Sequence, residues 1–100
     1  MDLLLDGKSA LITGGSKGIG KAIAKEFANA GAKVMITSRK AEVCEAAAIE
    51  IGNGCTWESG NIGDLEHMEQ AIVRTIEIHG GVDILVNNAA TNPYAGPMIE

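Results

Sequence analysis

Thr13-Gly14-Gly15-Ser16-Lys17-Gly18-Ile19-Gly20 is the stretch whose reading decides the fold. A short apolar run, Ala10-Leu11-Ile12, precedes it, and the helix-like segment Lys21 to Ala30 follows. A strand, a glycine loop and a helix N-terminus in that order make an anion-binding site. Backbone N–H groups converge there and the helix dipole adds partial positive charge. Glycine lets a phosphate approach the backbone. The first expectation is therefore a nucleotide-cofactor loop.

The charge pattern agrees with an anionic ligand. Net charge is −5, which argues against nucleic acid as a partner. Seven of the eight basic residues fall in residues 1–40 against three acids, a balance of +4. Residues 41–100 hold Arg74 and ten acids, a balance of −9. The positive end is the end with the glycine loop. At 100 residues and 46% hydrophobic content with three aromatics, the chain fits one α/β domain with an aliphatic core. No apolar stretch approaches the ~18 residues of a membrane span. Nor does the N-terminus carry a basic region leading into a hydrophobic one, so a cytoplasmic location and no membrane partner are expected. Cys44 and Cys55 lack metal or redox spacing and read as buried free thiols. No metal site is expected.

Outward from the loop, apolar periodicity alternates between strand and helix. Lys8 to Thr13 reads as a strand. A helix runs from about Gly18 to Ala30 with Ile19, Ile23 and Phe27 on its inner face. Val34 to Ser38 is a second strand, apolar throughout as for a strand covered on both sides. Lys40 to Ile51 is a helix with Val43, Ala47 and Ile51 inward, and Gly52-Asn53-Gly54 breaks it. Cys55 to Gly60 is a short third strand. Asp64 can cap a helix that reaches about His79, with Leu65, Met68, Ile72 and Ile76 inward. His67 and His79 then take surface or helix-end positions. Val82 to Val86 is the fourth strand, and Thr91 to Glu100, with both prolines, is loop. The βαβαβαβ order implies right-handed crossovers and a three-layer, parallel α/β sheet in the order 3-2-1-4. Strands 1 and 4 then flank the switch point at which ligands of such sheets bind.

Gly15 to Lys21 also fits G-x-x-x-x-G-K, the phosphate loop of nucleotide triphosphatases. That motif continues with Ser or Thr to ligate Mg²⁺, and Ala22 stands there instead. Strand 4 supplies no acid at its C-terminal end for the metal. This reading stays as a remote alternative.

The spacing Thr-Gly-x-x-x-Gly-Ile-Gly resembles the short-chain dehydrogenase/reductase family, Rossmann-fold NAD(P)-dependent enzymes. Ser38-Arg39 ending strand 2, Asn61-Ile62-x-Asp64 after strand 3 and Asn87-Asn88-Ala89-Ala90 after strand 4 sit where that family places its own motifs. The run from Gly80 to Pro93 is similar to the carbonyl-reductase branch. The resemblance implies that Gly14, Gly18 and Gly20 shape the pyrophosphate turn, lined by Ser16, Lys17 and Ile19. It further implies that Asn61 bonds the adenine edge, Ile62 packs beside that ring, and Asn88 and Ala89 line the ribose next to the nicotinamide. Asn87 would tie strands together. Asn61 stands where the family often has Asp, and Ala90 where it usually has Gly. At the end of strand 2, NAD enzymes place an acid on the ribose 2′-OH. Here Ser38 and Arg39 occupy that end with Lys17 across the loop, which suits a 2′-phosphate and favours NADP(H) over NAD(H).

The family's chemistry also needs a Ser and a Tyr-x-x-x-Lys pair. The only tyrosine, Tyr94, has Met98 four residues on. No catalytic residue is therefore assigned. The expectation is one NAD(P)-binding domain over residues 1–100, an N-terminal portion that carries the cofactor half of an oxidoreductase without its catalytic half. Its substrate would be a small carbonyl or alcohol, and the family is usually homo-oligomeric. A non-catalytic NADP-binding module is the alternative.

Overall fold

The computed structural model describes residues 4–60 and 65–88. Four strands, β1 (Ser9–Thr13), β2 (Lys33–Ser38), β3 (Thr56–Ser59) and β4 (Ile84–Asn87), alternate with helices α1 (Gly18–Asn29), α2 (Ala41–Ile51) and α3 (Leu65–His79). All pairings are parallel and the spatial order is β3-β2-β1-β4, the order the sequence pattern implies. Leu11 lies beside Met35 and Leu85, and Ile12 beside Ile36 and Val86. Because side chains alternate along a strand, these two rows face opposite sides of the sheet.

Each side has its own core. On one, Ile12, Val34 and Ile36 meet Ala24 and Ala28 of α1 and Cys44, Ala47, Ala48 and Ile51 of α2. On the other, Leu11 and Met35 meet Ala71 of α3, flanked by Ile72 and Val82. Every residue of β1 is buried, the apolar run Ala10-Leu11-Ile12 together with Ser9 and Thr13 at its ends.

The helices turn different faces inward from those expected. In α1 the buried residues are Gly20, Ala24 and Ala28, at i, i+4 and i+8. Ile23 and Phe27 flank the core rather than fill it, and Ile19 is 73% exposed. Small residues on the contact face let the helix axis come close to the sheet, and the bulky ones then seal the sides. In α3 the buried line is His67, Ala71 and Thr75, one position back from Met68, Ile72 and Ile76. Leu65, placed inward by periodicity, is 75% exposed. Thr75 is accommodated because its hydroxyl donates to the Ala71 carbonyl at 2.7 Å. In α2, Cys44 and Ala48 join Ala47 and Ile51, while Val43 is half-buried.

Cys44 is a buried free thiol, as expected, and Cys55 is free but only half-buried. Burial raises the Cys44 thiol above its ordinary range and pushes Cys55 up to about 12, so both are protonated thiols at neutral pH. β4 starts later than its apolar run because Asp83 occupies the entrance. The Asp83 amide donates to the Ser9 carbonyl, and Asp83 Oδ2 accepts from the Ser9 amide, each at 2.8 Å. No helix among the described residues is long and apolar enough to cross a membrane.

Candidate functional site

The glycine loop leaves β1 at the boundary between β1 and β4. Gly14 adopts φ 67° and Gly18 φ 55°, the left-handed region that side chains disfavour. Space matters as much as torsion. A Cβ on Gly14 would collide with the Asn88 carbonyl oxygen. A Cβ on Gly20 would collide with the Gly14 carbonyl and come within 2.6 Å of Asn88 Nδ2. The first turn of α1, the loop and the residue that follows β4 are thus in close mutual contact. The Gly15 amide donates to the Thr37 carbonyl at 3.1 Å, which joins the same loop to β2.

Lys17 holds the N-cap position in extended geometry, with φ −145° and ψ 160°, and no side chain caps the helix. No acid stands in the first turn. The amides and the positive end of the α1 dipole therefore receive no carboxylate from this turn, the electrostatic condition of an anion site. Ser16 is half-buried in the loop, while Lys17, Gly18 and Ile19 are exposed along it.

Thr13 closes the switch point, a role that sequence reasoning did not assign to it. Its buried hydroxyl lies 3.3 Å from the Val86 carbonyl and 3.1 Å from Asn87 Oδ1 as donor. It also accepts from the Asn88 amide at 2.8 Å. Asn87 thereby ties β4 to β1, and Asn88 is held with its side-chain amide over Gly20. The available signal was a hydroxyl at the last position of β1, directly after the apolar run Ala10-Leu11-Ile12.

Ser38 ends β2 with its Oγ buried on the side of the Cys44 thiol. Its carbonyl accepts the Gly60 amide at 2.8 Å. Arg39 and Lys17 are exposed, and neither forms an ion pair among the described residues. Lys21, the lysine of the triphosphatase-like motif, is engaged elsewhere: its Nζ sits 2.8 Å from Glu50 Oε1 on α2. That pairing holds the Glu50 carboxyl below its ordinary range. Asn61, Ile62 and Ala89 lie outside the described residues, as do Asp64, Ala90 and Tyr94. The structure thus brings Gly14, Gly20 and Asn88 together and sets Ser38 at the neighbouring strand end. An acidic cleft lined by Glu58, Glu66, Glu69, Arg74 and Glu77 shares no residue with this site. No cluster of metal-ligating side chains occurs among the described residues.

A parallel 3-2-1-4 sheet with a glycine loop at its switch point defines a Rossmann-type nucleotide-binding architecture. The chain belongs to the short chain dehydrogenase family, whose model matches residues 8–99. It is 40% identical over 99 residues to the human dehydrogenase/reductase SDR family member 4, an alignment that covers 96% of this chain and 36% of that protein. The pig protein of the same name is 39% identical with the same coverage. A sorbitol dehydrogenase of Cereibacter sphaeroides is 38% identical over 96 residues, covering 96% of this chain and 37% of that one. The chain spans a little over a third of the length of these curated relatives.

Proposed function

We propose that this chain forms the cofactor-binding part of an NADPH-dependent oxidoreductase acting on a small carbonyl or alcohol. The observation that carries the reading is the contact of Gly14, Gly20 and Asn88 at the uncapped N-terminus of α1. A cradle that any Cβ would fill suits the close approach of a pyrophosphate. Gly14, Ser16, Lys17, Gly18, Ile19 and Gly20 would hold that group. Asn88 and Ala89 would take the adjoining ribose, and Asn61 and Ile62 the adenine. When bound, the cofactor supplies hydride from its nicotinamide. The residues named would bind and orient it.

The preference for NADP(H) rests on Ser38, Arg39 and Lys17. Both cations lack an acid partner among the described residues, and no carboxylate ends β2 to repel a 2′-phosphate. Each charge-assisted hydrogen bond to such a dianion is worth roughly 1.5–3 kcal/mol. Calorimetric titration of the protein with NADPH and NADH tests this. Arg39→Ala is expected to weaken NADPH by about tenfold or more, following that bond energy, and to leave NADH nearly unchanged. Equal affinity of the unaltered protein for the two cofactors would overturn the assignment.

A second reading is that a polypeptide of these 100 residues binds the cofactor without turning it over. An NADPH-oxidation assay with aldehydes and ketones separates the two. Tight NADPH binding without oxidation favours the second.

A further inference from the structure

His67 carries an inference that rests on the cofactor reading above and concerns how its adenosine end is shaped. The residue opens the buried line of α3 and is only 7% exposed. Its ring lies against Gly60: a Cβ there would overlap Nδ1 and Cε1 and reach 2.7 Å from Cγ. Gly60 in turn donates its amide to the Ser38 carbonyl at 2.8 Å, just past the last β2–β3 pair, Ser38 with Ser59. The chain of contact therefore runs from α3 through an imidazole and one glycine to the residue that precedes Arg39. His67 Nε2 is buried with no hydrogen-bond partner among the described residues. A polar atom left unpaired in this way contributes nothing to holding the ring in place. What the ring supplies at Gly60 is shape.

We propose that His67 is a positioning residue for the adenosine end of the site, its ring a wedge that fixes Gly60 and, through Gly60, the path of Ser38-Arg39. Without the ring, Gly60 is free to move into the vacated space, the bond to Ser38 lengthens, and the backbone that carries Arg39 loses its fixed path. Preorganised geometry of this kind is lost by small displacements. The glycine loop, anchored instead by Thr13 and Asn88, is unaffected.

The test uses two probes on the same protein, adenosine 2′,5′-bisphosphate for the β2 end and inorganic pyrophosphate for the glycine loop, with binding followed by NMR titration. His67→Ala is expected to weaken the bisphosphate by about tenfold, a loss of about 1.4 kcal/mol, while pyrophosphate affinity stays as in the unaltered protein. His67→Phe keeps a ring of similar size without the unpaired nitrogen and is expected to restore bisphosphate affinity. Equal loss for both probes in His67→Ala marks general loosening of the fold and overturns the proposal. Failure of His67→Phe to rescue shows that the nitrogen acts, and also overturns it. Failure of the unaltered protein to bind the bisphosphate is a different result, one that removes the cofactor reading itself.

Discussion

Thr13 joins two strand ends more than seventy residues apart in sequence through one hydroxyl. Thr13→Val keeps the shape but leaves the Asn88 amide without its acceptor. An unpaired buried donor costs about 1–3 kcal/mol, so a matching drop in urea-unfolding stability is expected, with Thr13→Ser close to the unaltered protein. An unchanged midpoint for Thr13→Val would show that the hydroxyl is not a structural tie. Gly20→Ala tests the adjoining contact. Its methyl would meet the Gly14 carbonyl and lie 2.6 Å from Asn88 Nδ2, and overpacking of this kind costs roughly 1–3 kcal/mol. The Gly14 carbonyl is loop backbone and must shift together with the Asn88 side chain, so cofactor affinity should fall together with stability.

Among the elements, α1 carries the least bulky inner face, Gly20, Ala24 and Ala28. Ala24 is fully buried, and Ala24→Leu would push α1 off the sheet at a cost of about 1–3 kcal/mol. Ile19→Lys, on an exposed side chain, should change thermal stability by less than about 0.5 kcal/mol. The end of α3 carries a pH dependence. His79 Nε2 lies 2.9 Å from Thr56 Oγ1, and burial, with a smaller contribution from the charge of Lys33, lowers the imidazole pKa below its ordinary value of 6.5. The folded protein therefore binds this proton less readily than the unfolded chain does. Stability contributed by neutral His79 is complete above that ordinary range and is lost as pH falls through it towards the depressed folded value. Unfolding midpoints measured from pH 7.5 down to about 5 should decline, and His79→Gln should flatten the decline across the histidine range. A slope unchanged in His79→Gln would place the titration elsewhere.

For the whole molecule, the sheet is unequally covered. Helices α1 and α2 seal one face, whereas α3 packs on β1 and β2 and leaves Leu85 of β4 51% exposed on the other. Among the described residues β4 pairs with β1 alone, and its outer edge there has no strand partner beside the exposed Leu85. Such an edge invites pairing with another chain. A polypeptide of these 100 residues is expected to self-associate as concentration rises, and Leu85→Lys should suppress this in sedimentation velocity. A single monomer boundary at all concentrations would contradict it.

Much of this was legible in the sequence. Strand-loop-helix order, glycine spacing and hydrophobic period are local properties, and they yielded the parallel sheet, its 3-2-1-4 order and the placing of the glycine loop at the switch point. The helix faces were not legible in the same way. Ile19, Leu65 and Ile76 match a 3.6-residue period as well as Ala24, Ala28 and Ala71 do, and hydrophobicity favours the larger residues. What selects alanine and glycine is the distance between helix and sheet, a quantity that exists only once the layers have met. The same holds for His67, whose burial depends on a glycine seven residues away with room for a ring beside it, and for Asp83, whose carboxylate replaces a ladder bond at β4. The sequence by itself determined the order of elements and the chemistry available at their ends. The tertiary structure decided which side chains face inward and which polar groups meet, because close packing is set by the shapes of partners distant in the chain.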